Sequence, residues 1–298
     1  MNQKEIADIF EALERPVLDQ TGGSLEYDGY FICALKAGLA KNYELNRIIF
    51  DDENSTNPFA LTANLRGLCE DIIGLKYISI FDLSDRNEAI VLLVSESTFD
   101  FIEKQKTFFA LLRPQQRILG RDNAAEEAKE KRRILANFKQ KYGWKSRKEW
   151  PTIREMAETT GLLAFYDYLY AVTSSFVHFS PRNLARMGWG VTQHTFRYST
   201  SNFAKYYDAF NQFYGVFLFI TFCTSFCSLL GCKEEFKLPV TKLIEILDAE
   251  TRWPELVTWE EMNMAGVTGP KRLWQMLLYP VEGGESTGRA AGSIWQWD

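Results

Sequence analysis

GVFLFITFCTSFCSLL, residues 215–230, is the stretch on which the fold turns. Its sixteen residues carry no charge, so a helix built from them is apolar on every side and has to be covered by lipid or by protein. A bilayer span needs about twenty apolar residues. This run is shorter and is interrupted by Thr221, Thr224, Ser225 and Ser228. Nor is it bracketed at both ends by aromatic residues with Lys or Arg. The expectation is a central helix, over about residues 202–230, inside a soluble helical protein.

The chain around it carries helical periodicity almost throughout. Ile6, Ile9, Phe10 and Leu13 predict a helix over about 2–14 that ends before Pro16, with Gly22 and Gly23 marking a loop. A long helix follows from about Tyr27 to Phe50, then a polar turn that closes on Pro58. From Phe59 to Phe81 apolar residues recur three and four apart, and Asp82 or Ser84 can cap a further helix that stops at Pro114. Residues 122–142 read as a solvent-facing helix rich in Ala, Glu and Lys. Thr152 with Glu155 is a capping-box pattern opening a short helix to Thr160. AFYDYLYAVTSSFVHFSP, residues 164–181, reads as a helix stopped by Pro181, and residues 188–199 alternate as a short extended excursion would. Three shorter helices are expected around 239–249, 258–264 and 270–279, the second opened by Thr258 and Glu261. Neither an internal repeat, nor a glycine-rich phosphate loop, nor strand–helix alternation is present. The fold class expected is all-α, a multi-helix bundle with additional C-terminal helices. A core domain would span residues 1–200, helices packed on it 201–282, and a flexible tail 283–298.

Bulk composition narrows the function classes. A chain of 298 residues, 46% hydrophobic and 24% charged, has an ordinary globular make-up and can bury a full core. Its net charge of −5 excludes a general polyanion binder, yet residues 121–148 hold ten Lys or Arg against four Asp or Glu. Such a stripe can contact phosphates; a solvated helix face is the alternative. Lys131, Arg132, Arg133, Lys145, Arg147, Lys148 and Arg182 are the candidate nucleic-acid contacts. Trp144 and Trp150 lie among these bases, a mixture that single-stranded nucleic-acid surfaces use. Five cysteines with no CxxC pair argue against a disulfide framework or a zinc site and for small buried hydrophobes in a reducing, cytoplasmic compartment. The opening MNQKEIADIF lacks a signal-peptide core. No cofactor, no metal and no membrane association is expected, and two histidines are too few for a metal-dependent hydrolase.

Chemistry concentrates on two helices. Arg66 and Glu70 are four apart on a helix whose other faces are apolar, so they face water or pair with something. On the second, helical spacing puts Asp167, Tyr170, Ser174 and Ser175 on the side of His178. If the two helices pack together, Arg66, Glu70, Ser174, Ser175 and His178 form a candidate acid–base or anion site. The alternative is a hydrogen-bond network that fixes helix register in a non-catalytic protein–protein interaction module. His194, in VTQHTFRYS, reads as an ordinary partly exposed histidine.

ANLRGLCEDIIGLKYI (63–78), EWPTIREMAETTG (149–161) and YDYLYAVTSSFVHFSP (166–181) together resemble DUF5677, a family of uncharacterised helical proteins, over roughly residues 25–185. The Arg66-x-x-x-Glu70 and Tyr170…Ser174-Ser175-x-x-His178 patterns carry the likeness. That family in turn resembles HEPN-type helical proteins, which implies a component of a microbial defence or toxin-like system acting on or binding RNA. If it is an enzyme, it would be a metal-independent ribonuclease, and the resemblance also implies a homodimer. The HEPN signature separates an Arg from its His by four to six residues, and Ala171, Val172 and Thr173 stand there instead. Arg66, from another helix, would have to supply the guanidinium.

Overall fold

The computed structural model of the chain describes residues 1–23, 29–51, 57–117, 124–145, 148–187 and 197–255. Among these residues stand eleven helices and no strand. They are α1 (Gln3–Ala12), α2 (Glu14–Thr21), α3 (Tyr30–Ile49), α4 (Pro58–Ser79), α5 (Leu83–Leu112) and α6 (Ala124–Lys141). Then come α7 (Ile153–Thr159), α8 (Leu163–Val177), α9 (Pro181–Met187), α10 (Ala204–Leu230) and α11 (Glu234–Asp248). The all-α bundle is thus as the periodicity predicts. The expected helices at 258–264 and 270–279 and the tail at 283–298 lie outside the described residues, as do residues 188–196 of the expected excursion.

The helix ends fall where the prolines predict; Pro114 follows α5 in a turn, but three of the others belong to the helix that follows. Pro16 is the third residue of α2, and Pro58 and Pro181 are the first residues of α4 and α9. A first-turn residue has no N–H partner to lose, and proline's fixed φ suits the helix start. Pro239, expected to begin the next helix, sits inside α11, which starts five residues earlier at Glu234.

Two compact units divide the chain. The first takes residues 1–23, 36–72 and 164 onward; the second takes 24–35 and 73–163. In the first, α10 is the axis, and nearly every residue from Phe210 to Thr224 is buried. α11 packs against α10, and α1 against α11. Phe10 of α1 meets Phe219 edge to face at 5.1 Å, and Phe165 of α8 meets Phe217 at 4.5 Å. Phe59 of α4, Phe176 of α8 and Tyr207 of α10 form a ring triangle with centroids 5.0–5.6 Å apart. The buried polar groups of α10 are matched. Asn211 Nδ2 donates to the Pro58 carbonyl at 2.7 Å, and its Oδ1 accepts from Thr62 Oγ1 at 2.9 Å. Gly231, with φ +67°, ends the helix in the left-handed conformation that glycine adopts without strain. By length and composition α10 passes the test for a membrane-crossing helix, and 78% of its most apolar stretch is buried inside the protein.

The second unit is organised on Phe81. Its ring stacks on Tyr142 at 4.1 Å and lies within 6.3 Å of Phe138, Trp144 and Trp150. Asp85 accepts from Tyr142 Oη at 2.6 Å and from Lys141 Nζ at 2.7 Å, fastening α6 to the start of α5. The capping box is present: Thr152 Oγ1 accepts from Glu155 N, and the Glu155 carboxylate accepts from Thr152 N. Cysteines 69, 223, 227 and 232 are buried thiols, as expected, whereas Cys33 is exposed.

Two predictions follow from this packing. A Cβ built on Gly215 would lie 2.8 Å from Asn46 Oδ1 and 3.0 Å from Ile49 Cδ1. Gly215→Ala is therefore expected to lose about 1–3 kcal/mol, the usual range for overpacking, read as a lowered Tm. Burial opposes ionisation of Asp85, but the hydrogen bonds from Lys141 and Tyr142 outweigh it and hold its carboxyl below the usual range. A depressed carboxylate pKa contributes stability above the unfolded value of about 3.9 that is lost as pH falls through the folded one. The acid arm of a Tm-against-pH profile should accordingly flatten in Asp85→Asn.

Candidate functional site

The site is built on the first unit from α4 and α8. Tyr166, Tyr170, Ser174 and His178 follow one another at intervals of four along α8 and the residue that closes it, so they form one stripe. Leu169 and Thr173 face the core instead. Facing the stripe is Arg66 of α4, with its side chain 22% exposed and that of Glu70 29%.

The Arg66 guanidinium joins the elements. Nε donates to Glu70 Oε1 at 2.8 Å, and Nη1 donates to Ser174 Oγ at 3.2 Å. The same Nη1 lies 3.4 Å from His178 Nε2, and the guanidinium carbon sits 4.3 Å above the Tyr170 ring. Arginine only donates, so in this pairing the Nε2 lone pair accepts and the imidazole carries its proton on Nδ1. Among the described residues Nη2 has no hydrogen-bond partner. Burial works against the charge on Arg66, yet the Glu70 carboxylate, helped by Tyr170 and Tyr166, holds its pKa above the ordinary value. Burial, with the Glu70 charge behind it, likewise raises the Tyr166 phenol and pushes the Cys69 thiol up to about 12.

Four of the five residues singled out in the sequence as the acid–base group therefore meet: Arg66, Glu70, Ser174 and His178. Ser175 does not join them. Its hydroxyl donates to the Val172 carbonyl at 2.8 Å and accepts from Asn183 Nδ2 at 3.1 Å, while the same amide donates to the Ser175 carbonyl at 2.7 Å. Asn183 is buried and ties α9 to the end of α8, with Ser180 Oγ accepting from its backbone N–H. Asp167, expected in the seam, is not among the partners of Arg66. Two aromatic groups stand beside the site: Tyr170, expected in the seam, and Phe179, which the sequence reading passed over. Phe179, next to His178, is 86% exposed, and the Tyr170 ring that carries Arg66 is 39% exposed.

The basic candidates fare differently. Lys131 pairs with Glu96 at 2.6 Å and Arg133 with Glu130; Lys141, in the same basic stripe but not among the candidates, pairs with Asp82 and Asp85. Arg132, Lys145, Lys148 and Arg182 are exposed, while Arg147 and His194 lie outside the described residues. Trp144 is buried in the Phe81 cluster and Trp150 is half-buried there. Among the described residues no group of three or more His, Cys, Asp or Glu is placed to hold a metal ion.

Replacing Arg66 with Met would cut the α4–α8 link and leave Glu70 unpartnered. The expected loss is about 1–3 kcal/mol, the scale of charged hydrogen bonds, read by urea unfolding. Arg66→Lys should recover only part, because an ammonium cannot reach Glu70, Ser174 and His178 together.

No curated protein and no solved structure matches the chain. Residues 60–192, which hold Arg66, Glu70, Tyr170, Ser174 and His178, match the model of DUF5677, a family of unknown function.

Proposed function

We propose that the Arg66–His178 pair is a phosphodiester-handling site that binds and cuts single-stranded RNA without a metal, in a component of a microbial defence or toxin-like system. The observation that carries this reading is the 3.4 Å approach of a charged guanidinium to an exposed imidazole. The two come from different helices, in place of the single-helix Arg–His signature that the sequence lacks. A 2′-hydroxyl would take the place of Arg66 as donor to His178 Nε2. The imidazole removes its proton as the 2′-oxygen bonds to phosphorus, and the P–O5′ bond breaks with the 5′-oxygen taking a proton from water. The Nη2 hydrogens of Arg66 face the non-bridging oxygens, where charge grows in the transition state. Glu70 and the Tyr170 ring keep the guanidinium in place, and the bare Phe179 ring offers a stacking face to an unpaired base.

A second reading has its own observation. Arg66 already bonds to α8 through Ser174 and Tyr170, as it would in a purely structural seam of a protein–protein interaction module. The two separate on labelled single-stranded RNA and its deoxy analogue, with folding of each variant checked by melting. The first predicts cleavage of RNA alone, 2′,3′-cyclic phosphate ends, and a loss of about 10²–10⁴ in rate for folded His178→Ala and Arg66→Ala. Folded wild type that neither binds nor cuts RNA, with variants that only melt earlier, leaves the structural seam.

A further inference from the structure

The cleavage proposed above needs a second proton transfer. The 5′-oxygen leaves as an alkoxide unless a proton reaches it as the P–O5′ bond breaks, and free water is a weak acid for that task, with a pKa of about 15.7. An acid that serves the leaving oxygen has to carry a hydrogen it can give up and be open to the substrate. It also has to stand across the phosphorus from the base, because the attacking and leaving oxygens lie in line. The groups around Arg66 divide on these conditions. Glu70 is taken up as the ion-pair partner of Arg66. Tyr166 is only 8% exposed. Ser174 accepts from Arg66 Nη1, and an aliphatic hydroxyl is no better an acid than water. Tyr170 remains, and a phenol, with an ordinary pKa of about 10, is a stronger acid than water by several powers of ten.

The geometry around Tyr170 meets the other two conditions. Its side chain is open to solvent, and among the described residues its hydroxyl has no hydrogen-bond partner. Its ring lies under the guanidinium, 4.3 Å from centroid to Cζ, so a phosphate seated on Arg66 is within reach of the hydroxyl at the ring's rim. His178 Nε2 stands at the other end of the group, against Nη1. Tyr170 and His178 are eight residues apart, about 12 Å along the helix axis at 1.5 Å per residue, and Arg66 touches both. Base and acid thus flank the group that holds the phosphate, and the guanidinium charge over the ring favours the phenolate left behind. We infer, resting on the ribonuclease reading, that Tyr170 is the proton donor of this site, its hydroxyl passing a proton through the intervening water to the 5′-oxygen. The 2′-hydroxyl proton goes to His178 Nε2 as the O2′–P bond forms. The P–O5′ bond breaks, and the water gives its proton to the 5′-oxygen while taking the phenol's. After the products leave, the phenolate regains a proton from solvent and the imidazolium loses one to it.

Single-stranded RNA in which sulfur replaces one bridging 5′-oxygen tests this, because a thiolate leaves without needing a proton. Tyr170→Phe keeps the ring beneath Arg66 and removes only the hydroxyl. On ordinary RNA the folded variant is expected to cut about 10²–10⁴-fold more slowly than wild type, while its binding of a 2′-O-methylated oligonucleotide stays the same. At the sulfur-bridged bond the two should cut at the same rate, whereas His178→Ala stays slow on both substrates. A Tyr170→Phe variant that cuts ordinary RNA like the wild type, or that is slowed equally on both substrates, overturns the proton-donor role and leaves the ribonuclease reading standing. Wild type that cuts neither substrate overturns both.

Discussion

A helix without charge on any side has to be enclosed, and the first unit is arranged to enclose α10. Its buried rings at 210, 213, 217, 219, 222 and 226 each contribute on the order of 2 kcal/mol on leaving water, and α1, α4, α8 and α11 present Phe10, Phe59, Phe165, Phe176 and Phe236 for the same core. The asparagine amide nitrogens that enter this interior have partners, whereas Asn42 Oδ1 and Asn46 Oδ1 are buried without one among the described residues. Asn211 is held by α4, and the Asn46 amide donates to the Gly215 carbonyl at 3.1 Å, where the missing side chain lets α3 approach.

That enclosure sets the geometry of the Arg66 cluster. α4 and α8 do not meet by chance at Arg66 and His178. Thr62 and Phe59 fix the first part of α4 to α10, and Phe176 fixes the end of α8 to the same Tyr207 ring. Arg66 lies one turn beyond Thr62, and His178 lies two residues beyond Phe176. The apolar contacts thus hold two polar side chains, 112 residues apart in sequence, within 3.4 Å. A guanidinium suits the position because one group can bond Glu70, Ser174 and His178 while stacking on Tyr170.

Much of this is legible in the sequence because its causes are local. Helical period, capping residues and prolines place the helices, and the four-residue spacing places Tyr170, Ser174 and His178 on one side of α8. What is not legible is set by distant partners. Ser175 turns away from the seam because Asn183, on a helix the sequence reading does not foresee, holds both its hydroxyl and its carbonyl. Two lysines of the basic segment are taken up by carboxylates well outside it in sequence, Lys131 by Glu96 and Lys141 by Asp82 and Asp85. Periodicity marks α5 as a helix, but tertiary packing decides that Ala89 and Leu92 are buried while Phe101 and Phe108 stay exposed.

The most direct test of the Arg66–His178 account is nuclear magnetic resonance of the histidine rings. The chain has two histidines, so His178→Ala assigns the signals at once. Titration uses a single-stranded RNA oligonucleotide whose 2′-oxygens are methylated, which binds without being cut. The account predicts that the His178 imidazole signals shift saturably and that Arg66→Ala, still folded, abolishes the shift. Signals of His178 that stay in place through a titration to millimolar oligonucleotide would contradict it.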